Sequence, residues 1–476
     1  MQTSSTYTPN WIPLILGPLA FTLIYLFLRP EGLSLEAVAA IACIAWISIW
    51  WVTEAIPIGM TSLLPLILFP LSGALDMKMV AQSYGNPVIF LFIGGFMVAL
   101  AIEQCGLHKR LALHFIKAIG LESRKVVLSI MLFTGFLSMW ISNTATAVMM
   151  FPIGMSLIAA WPQTDELNRQ QFAKVIMLGI AYAASIGGIG TLIGTPTNMI
   201  MVGAMKELYG FKIDFITWAK IGVPLAVGML FLGWFFMVHV MFKLPKLAFE
   251  GNKHLIDDEL KAIGPMTTAE KRVLIIFICV CLLWITHTFW LDAFIPGLDD
   301  TVIAMLGALA LFIIPSAGKG SAPMMNWHTT SKMPWSVVLL FGAGFAIAES
   351  CKTTGIADWL GEQLSVMEHT PILLILATVV GLSILTTEFA SNMATISLMV
   401  PILDSLSKAI DQPLLPLLWA ATLASSWGFM MPAGTGPNAV VFGSGYLKVS
   451  DMIRAGAVLN VLALILITLA CYFVLV

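Results

Sequence analysis

Ser142-Asn143-Thr144-Ala145-Thr146 lies inside an apolar run with Pro152 near its end. Ser391-Asn392-Met393-Ala394-Thr395 lies 249 residues later, inside a run with Pro401 in the equivalent place. The same polar break is written twice. In hydrocarbon a cluster of small polar side chains is costly unless it is buried in protein or lines a cavity. A duplicated cluster therefore points to a binding site assembled from two halves, as in a secondary transporter.

With 59% of its 476 residues hydrophobic and only 11% charged, the chain is a polytopic membrane protein and not a soluble one. A formal charge of −2 gives no argument for nucleic acid or another polyelectrolyte partner. The six cysteines, Cys43, Cys105, Cys279, Cys281, Cys351 and Cys471, lie mostly in apolar runs without zinc-ligand spacing, and read as small buried residues. His287, intramembrane by position, reads as a packed or interfacial side chain. Met1 to Asn10 carry no Lys or Arg, so the run Trp11 to Leu28 reads as a retained first transmembrane helix and not a signal peptide.

At about 20 apolar residues per crossing, the fold class is all-α and polytopic, with about 11 transmembrane helices in two repeats. Residues 1–33 hold the first helix. Repeat 1 covers 34–242, with spans near 34–52, 55–73 and 87–104, a short charged segment near 106–119, a re-entrant hairpin at 126–161, a broken helix at 172–206 and a span near 216–242. A linker, 243–270, is expected to be a solvated cytoplasmic connection. Repeat 2 covers 271–476, with a hairpin at 371–408 and a broken helix at 414–445. At the one offset of 249, Gly95-Phe96 matches Gly344-Phe345, Gly106 matches Gly355, Asn143 matches Asn392 and Pro152 matches Pro401. Gly194-Thr195-Pro196-Thr197-Asn198 matches Gly434-Thr435-Gly436-Pro437-Asn438 at an offset of 240.

Five crossings and one hairpin per unit is an odd number of crossings, which inverts the second repeat relative to the first. With the N-terminus cytoplasmic and the C-terminus outside, seventeen of the 24 Lys and Arg fall on inside segments, as the positive-inside rule requires. Segment 106–119 with its flank to Lys125 has five basic residues; its counterpart 355–367 has none and carries Asp358 and Glu362. One hairpin is thus expected to open from the cytoplasm and the other from outside.

Trp50-Trp51-Val52-Thr53-Glu54-Ala55-Ile56-Pro57, the paired Ser-Asn motifs and the Gly-Thr-x-x-Asn motifs of both broken helices resemble the divalent anion/sodium symporters, carriers of di- and tricarboxylates and of sulfate. The resemblance covers nearly the whole chain. It implies a homodimer in the plasma or inner membrane, a scaffold domain, a transport domain bearing the hairpins, elevator-type motion and sodium coupling. By resemblance, the first sodium site falls on Ser138, Ser142, Asn143 and the backbone around Gly194, and the second on Thr387, Asn392 and carbonyls around Ala433. The substrate is implied near Asn143, Thr144, Thr195, Ser391, Asn392, Met393 and Thr435. Met393 stands where the family usually has Thr, which removes a hydroxyl from one carboxylate position.

The residue chemistry agrees with this reading. Sodium is a hard cation that favours oxygen ligands, which Ser, Asn and the carbonyls freed by helix breaks supply twice. No Lys or Arg lies near either motif, so positive potential for an anion must come from helix N-termini and bound sodium. Glu388, four residues before Asn392, is a candidate for tuning the second ion site, ahead of Glu54, Glu103 and Glu349. The expected function is sodium-coupled symport of small divalent anions, C4-dicarboxylates first. An exchanger, or a sodium-coupled sulfate or tricarboxylate carrier, is the alternative. An enzyme would need a nucleophile–base or metal constellation, and none is apparent. A channel would need a continuous pore.

Overall fold

The computed structural model describes residues 11–120, 122–159, 161, 166–247, 253–287, 291, 294–318, 320–432 and 434–475. The chain is helical, and among the described residues the β content is confined to isolated bridges, that between Pro315 and Pro323 among them. α1 (Trp11–Phe27) leads to α2 (Leu35–Thr53), which starts where the Ser34 side chain accepts from the Ala37 N–H. The run 55–73, expected as one span, is broken into α3 (Ile58–Thr61) and α4 (Pro65–Ser72). Pro65 has no N–H to offer the Thr61 carbonyl, and the chain crosses the break in tighter turns, Leu63 N to Met60 O and Leu64 N to Thr61 O, both 3.0 Å. α5 (Met77–Tyr84) is a short amphipathic helix that average hydropathy passes over, and α6 (Pro87–Gln104) follows it.

Gly106 (φ 75°) and Gly355 (φ 79°) then turn the chain in the same left-handed conformation, into α7 (Leu107–Ile119) and, 249 residues later, into α17 (Ile356–Leu364). A Cβ at either position would be strained. The first hairpin is α8 (Ser123–Ser138) with α9 (Asn143–Ala159). The first broken helix is α10 (Glu166–Gly188) with α11 (Pro196–Tyr209), and α12 (Phe215–Phe235) ends in a π-helical turn, Phe236–Met241. After α13 (Lys253–Ile263) come α14 (Thr268–Thr286), α15 (Asp300–Ile313) and α16 (Trp335–Thr353). Beyond α17 lie the second hairpin, α18 (Ile372–Phe389) with α19 (Asn392–Ala409), the second broken helix, α20 (Leu414–Ser425) with α21 (Gly436–Phe442), and α22 (Val449–Leu475).

Among the described residues seven helices are long and apolar enough to cross a membrane, and five further apolar helical runs are shorter, Asn143–Ala159 among them and Ile58–Ser72 taken through its break. Large apolar side chains stand exposed on them, Leu71 at 82% and Phe473 at 76%, as suits a lipid-facing surface. The hairpins do not close on their own halves. α8 packs on α10, and α18 and α19 pack on α20, but α9 and α10 also reach α21, and α11 reaches α19 and α20. The site therefore lies where the two halves of the chain interlock.

The linker carries a helix of its own. α13 is strapped along α7 by Lys109–Glu259 (2.8 Å) and Lys117–Asp257 (2.6 Å), because its acidic residues meet the basic face of α7. Just beyond, the buried Arg110 guanidinium pairs with Glu270 (2.7 Å) and donates to the carbonyls of Gly264 (2.7 Å) and Pro265 (3.3 Å). Arg110→Ala would leave the Glu270 carboxylate buried and unpaired, and should destabilise the protein by about 3–5 kcal/mol. Lys109→Ala removes an exposed pair and should cost about 1 kcal/mol or less. Thermal unfolding of the two variants in detergent checks this difference.

Candidate substrate and cation site

α8 ends at Ser138, the chain turns through 139–142, and α9 restarts at Asn143. The Ser138 hydroxyl oxygen lies 2.8 Å from Asn143 Oδ1 and 2.6 Å from the carbonyl oxygen of Ala184 on α10. Three oxygens thus converge with a single hydroxyl proton among them, and that proton satisfies one acceptor at a time. The second hairpin repeats the arrangement: Thr387 Oγ1 lies 2.8 Å from Asn392 Oδ1 and 2.6 Å from the carbonyl oxygen of Ser425 on α20. Such buried groups of lone pairs, short of donors, suit a hard cation. Ser138 and Thr387 are both completely buried, while Asn143 and Asn392 also face the cavity described below.

The two broken helices are held open alike. Asn198 Nδ2 donates to the carbonyls of Gly188 (3.1 Å) and Thr191 (2.7 Å), and Asn438 Nδ2 donates to those of Gly428 (3.1 Å) and Met431 (2.9 Å). Each amide thereby pins the carbonyls that the break would otherwise leave unpaired. The side-chain oxygens of both asparagines are buried without a hydrogen-bond partner. The helices resume at Thr195 (φ −139°, ψ 143°) and Thr435 (φ −139°, ψ 151°), with a proline in the first turn of each, where a missing N–H costs nothing.

Glu388 has no counterpart of its type in the first hairpin, where the residue at the offset of 249 is Met139. Its buried carboxylate bridges the second break. Oε1 accepts from Phe429 N (2.8 Å), Met430 N (2.9 Å) and Asn460 Nδ2 (2.7 Å), and Oε2 accepts from Met430 N (3.1 Å) and Met431 N (2.9 Å). In the first break the Thr191 hydroxyl donates to the Met139 carbonyl instead.

These parts surround a cavity of about 670 Å³. Ser142, Asn143, Thr144, Ser391, Asn392 and Met393 line it from the two hairpin tips, and Thr195, Gly434 and Thr435 line it from the broken helices. Val52, Thr53 and Glu54 of the α2 end, Phe92 and Phe96 of α6, and Val337 of α16 form the facing wall. Thr144 abuts Gly436, where a Cβ would collide with its hydroxyl, so the first hairpin's tip touches the second broken helix. No Lys or Arg is among the described lining residues. The N-termini of α9, α11, α19 and α21 border the cavity through Asn143, Pro196, Asn392 and Gly436, and each supplies about half a positive charge and free N–H donors.

The structure thus brings all seven residues implied for the substrate to one cavity. Of the first sodium set, Ser138 and Asn143 meet directly. Gly194 packs so closely on the Ser138 and Gly188 carbonyls that a Cβ has no room. Ser142 stands at the start of α9, with its Oγ 3.4 Å from the Ala145 N–H. Of the second set, Thr387 and Asn392 meet, and Ala433 lies outside the described residues. The sequence reading missed the carbonyls of Ala184 and Ser425, which carry no side-chain signal, and Asn460, a lone amide in an apolar span.

The chain matches the family model for the sodium:sulfate symporter transmembrane region over residues 8–475. The sodium-dependent dicarboxylate transporter SdcS of Staphylococcus saprophyticus is 40% identical over 473 residues, 97% of this chain and 91% of the relative. The protein of the same name from Staphylococcus aureus strain USA300 is 40% identical over 471 residues, with the same coverage. Among solved structures, MtrF of Neisseria gonorrhoeae superposes with a TM-score of 0.61 at 12% identity, covering 96% of this chain and 97% of that one. The YdaH transporter of Alcanivorax borkumensis gives 0.56 at 13% identity, covering 83% and 88%. At such identities these two show a shared fold and nothing of substrate. With the family model matched over nearly its whole length, and with relatives 40% identical to it, the chain belongs to the sodium:sulfate symporter family of membrane transporters.

Proposed function

We propose that this protein is a sodium-coupled symporter of small divalent anions, C4-dicarboxylates first, working by an elevator-type motion. The observation that carries the reading is the pair of oxygen triads, Ser138–Asn143–Ala184 and Thr387–Asn392–Ser425, each built on a fully buried hydroxyl at a hairpin tip, beside a cavity with no basic side chain among its described lining residues. The relatives named sodium-dependent dicarboxylate transporters supply the ion and the substrate class. Sodium at the first triad, with Ser142 and the backbone at Gly194 close by, and sodium at the second, with the segment around Ala433, would place two positive charges at the tips. Two cations and four helix N-termini offset a dianion held between Asn143, Thr144, Thr195, Ser391, Asn392 and Thr435. Without the cations the anion faces only partial charges, so its affinity depends on sodium, and by linkage the ion's affinity depends on the anion.

The elevator element is supported by how the cavity divides. Hairpins and broken helices pack on one another and make one wall, while α2, α6 and α16 make the other. A homodimer through the second group, two inverted repeats, a cytoplasmic N-terminus and an outside C-terminus belong to the same reading. The charge distribution supports the orientation.

Succinate uptake into proteoliposomes should require an inward sodium gradient and stop when potassium replaces sodium. Uptake indifferent to that exchange refutes symport and favours an anion exchanger. Met393 bears on the choice of anion, because it faces the cavity where the first tip presents the Thr144 hydroxyl. Met393→Thr restores a donor to the second tip, and should improve succinate affinity by about 3- to 10-fold, the worth of one hydrogen bond of roughly 1 kcal/mol. Concentration-dependent succinate uptake by both proteins, with sulfate as competitor, measures it.

A further inference from the structure

α2 does not end on a glycine or an asparagine. Its last N–H···O bond is closed by Glu54, whose backbone is left-handed (φ 46°, ψ 41°) and whose N–H reaches the Trp50 carbonyl. Glu54 is one of three non-glycine residues with positive φ among the described ones. The conformation is strained for a residue with a Cβ, and a backbone N–H closes the helix equally well from glycine. The side chain is therefore the reason for a glutamate here. It is exposed into the 670 Å³ cavity and is the single charged residue among the described ones that line it. Among the described residues its carboxylate has no hydrogen-bond or ion-pair partner.

Its place on the wall matters as much as its charge. Glu54 follows α2, which packs on α1, α4 and α16 and touches α19, but is itself part of neither hairpin nor broken helix. Opposite it are the four helix N-termini and the two oxygen triads. The cavity thus has a positive side that holds the anion and one fixed negative charge facing it, reinforced by the C-terminal carbonyls of α2. A dianion accompanied by two sodium ions presents no net charge to that wall. An anion with a third negative charge, or one arriving without its cations, is repelled by it.

We propose that Glu54 is a specificity-determining residue that filters anions by charge, favouring sodium-compensated dianions over trianions of similar size. The proposal rests on the reading of the protein as a sodium-coupled dianion carrier. Unit charges about 7 Å apart in a partly hydrated cavity repel enough to shift affinity by about 3- to 50-fold.

The test is competition with succinate uptake in proteoliposomes by unlabelled succinate and by citrate, at about pH 8, where all three citrate carboxyls are ionised. The ratio of the two half-inhibitory concentrations is compared between wild type, Glu54→Gln, Glu54→Asn and Glu54→Asp. Asparagine tolerates the left-handed backbone, so Glu54→Asn keeps the test informative should Glu54→Gln fail to fold. In both neutral variants citrate should gain on succinate by about tenfold, and Glu54→Asp should keep the wild-type ratio. An unchanged ratio in the neutral variants, or a shift as large in Glu54→Asp as in Glu54→Gln, overturns the proposal. The sodium-coupled reading fails on a different result, wild-type succinate uptake that ignores sodium.

Discussion

Asn143→Ala and Asn392→Ala should each raise the sodium concentration needed for half-maximal succinate uptake by about 10- to 150-fold, or abolish uptake. In each oxygen triad, the asparagine oxygen stands 2.8 Å from a hydroxyl whose second neighbour is a backbone carbonyl at 2.6 Å. Alanine removes the one side-chain amide oxygen, leaving a sodium ion at the triad a hydroxyl and a carbonyl, with cavity water a weaker substitute for the fixed oxygen. An interaction with a charged group is worth about 1.5–3 kcal/mol, which is the fold-change quoted. Because both variants begin a helix whose other contacts persist, their thermal stability without sodium should change little, while the stabilisation sodium gives to wild type should shrink. Asn143→Asp separates ion from anion. It keeps an oxygen and adds a charge, so sodium should still stabilise the protein, whereas the dianion beside it is repelled. Sodium dependence unchanged in both alanine variants refutes the placement of the cations.

Much of this site is legible in the sequence because polar residues in hydrocarbon are costly and therefore conspicuous. Asn143 and Asn392 stand out twice over, by type and by repetition at one offset, and the glycines and prolines after α10 and α20 mark the breaks. What the sequence conceals are backbone groups. Ala184 and Ser425 contribute carbonyls, so their side chains differ and no motif records them. Asn198 and Asn438 belong to motifs that are easily seen, yet their work, pinning two carbonyls each across a break, appears only once the chain is folded. Hydropathy also misjudges 55–73, since averaging over a window conceals the prolines at 57 and 65. The strap at α13 escapes for another reason: Asp257 and Glu259 look like a solvated face until the basic side of α7 is placed against them.

Glu388→Ala should have the largest structural effect of any single change at the site. The carboxylate accepts from three successive backbone N–H groups, those of Phe429, Met430 and Met431, and from the Asn460 amide; Glu388 is 3% exposed, Phe429 0% and Asn460 8%. Each buried donor left unsatisfied costs about 1–3 kcal/mol, so the loss exceeds the worth of any single bond in the protein. The first half of the chain shows why the residue cannot be exchanged for its counterpart. There Met139 occupies the equivalent place, and the position facing it is apolar as well. Gly222 abuts the Ile189 backbone as Gly456 abuts that of Phe429, which puts Ala226 opposite Asn460. The first break closes through the Thr191 hydroxyl on the Met139 carbonyl, whereas the second depends on a buried anion. Glu388 also follows Thr387 directly, so its charge lies beside the second oxygen triad and favours a cation there. Two variants separate these roles. Glu388→Ala should lose folded protein, seen as a collapsed elution profile and a fall in melting temperature. Glu388→Gln retains the shape and one acceptor oxygen but turns an NH2 group onto backbone N–H groups, so it should fold with a smaller fall in melting temperature than Glu388→Ala. It should also need several-fold more sodium, with Asn460→Ala giving a smaller shift in the same direction. A folded Glu388→Gln with wild-type sodium dependence would confine the carboxylate to holding the break.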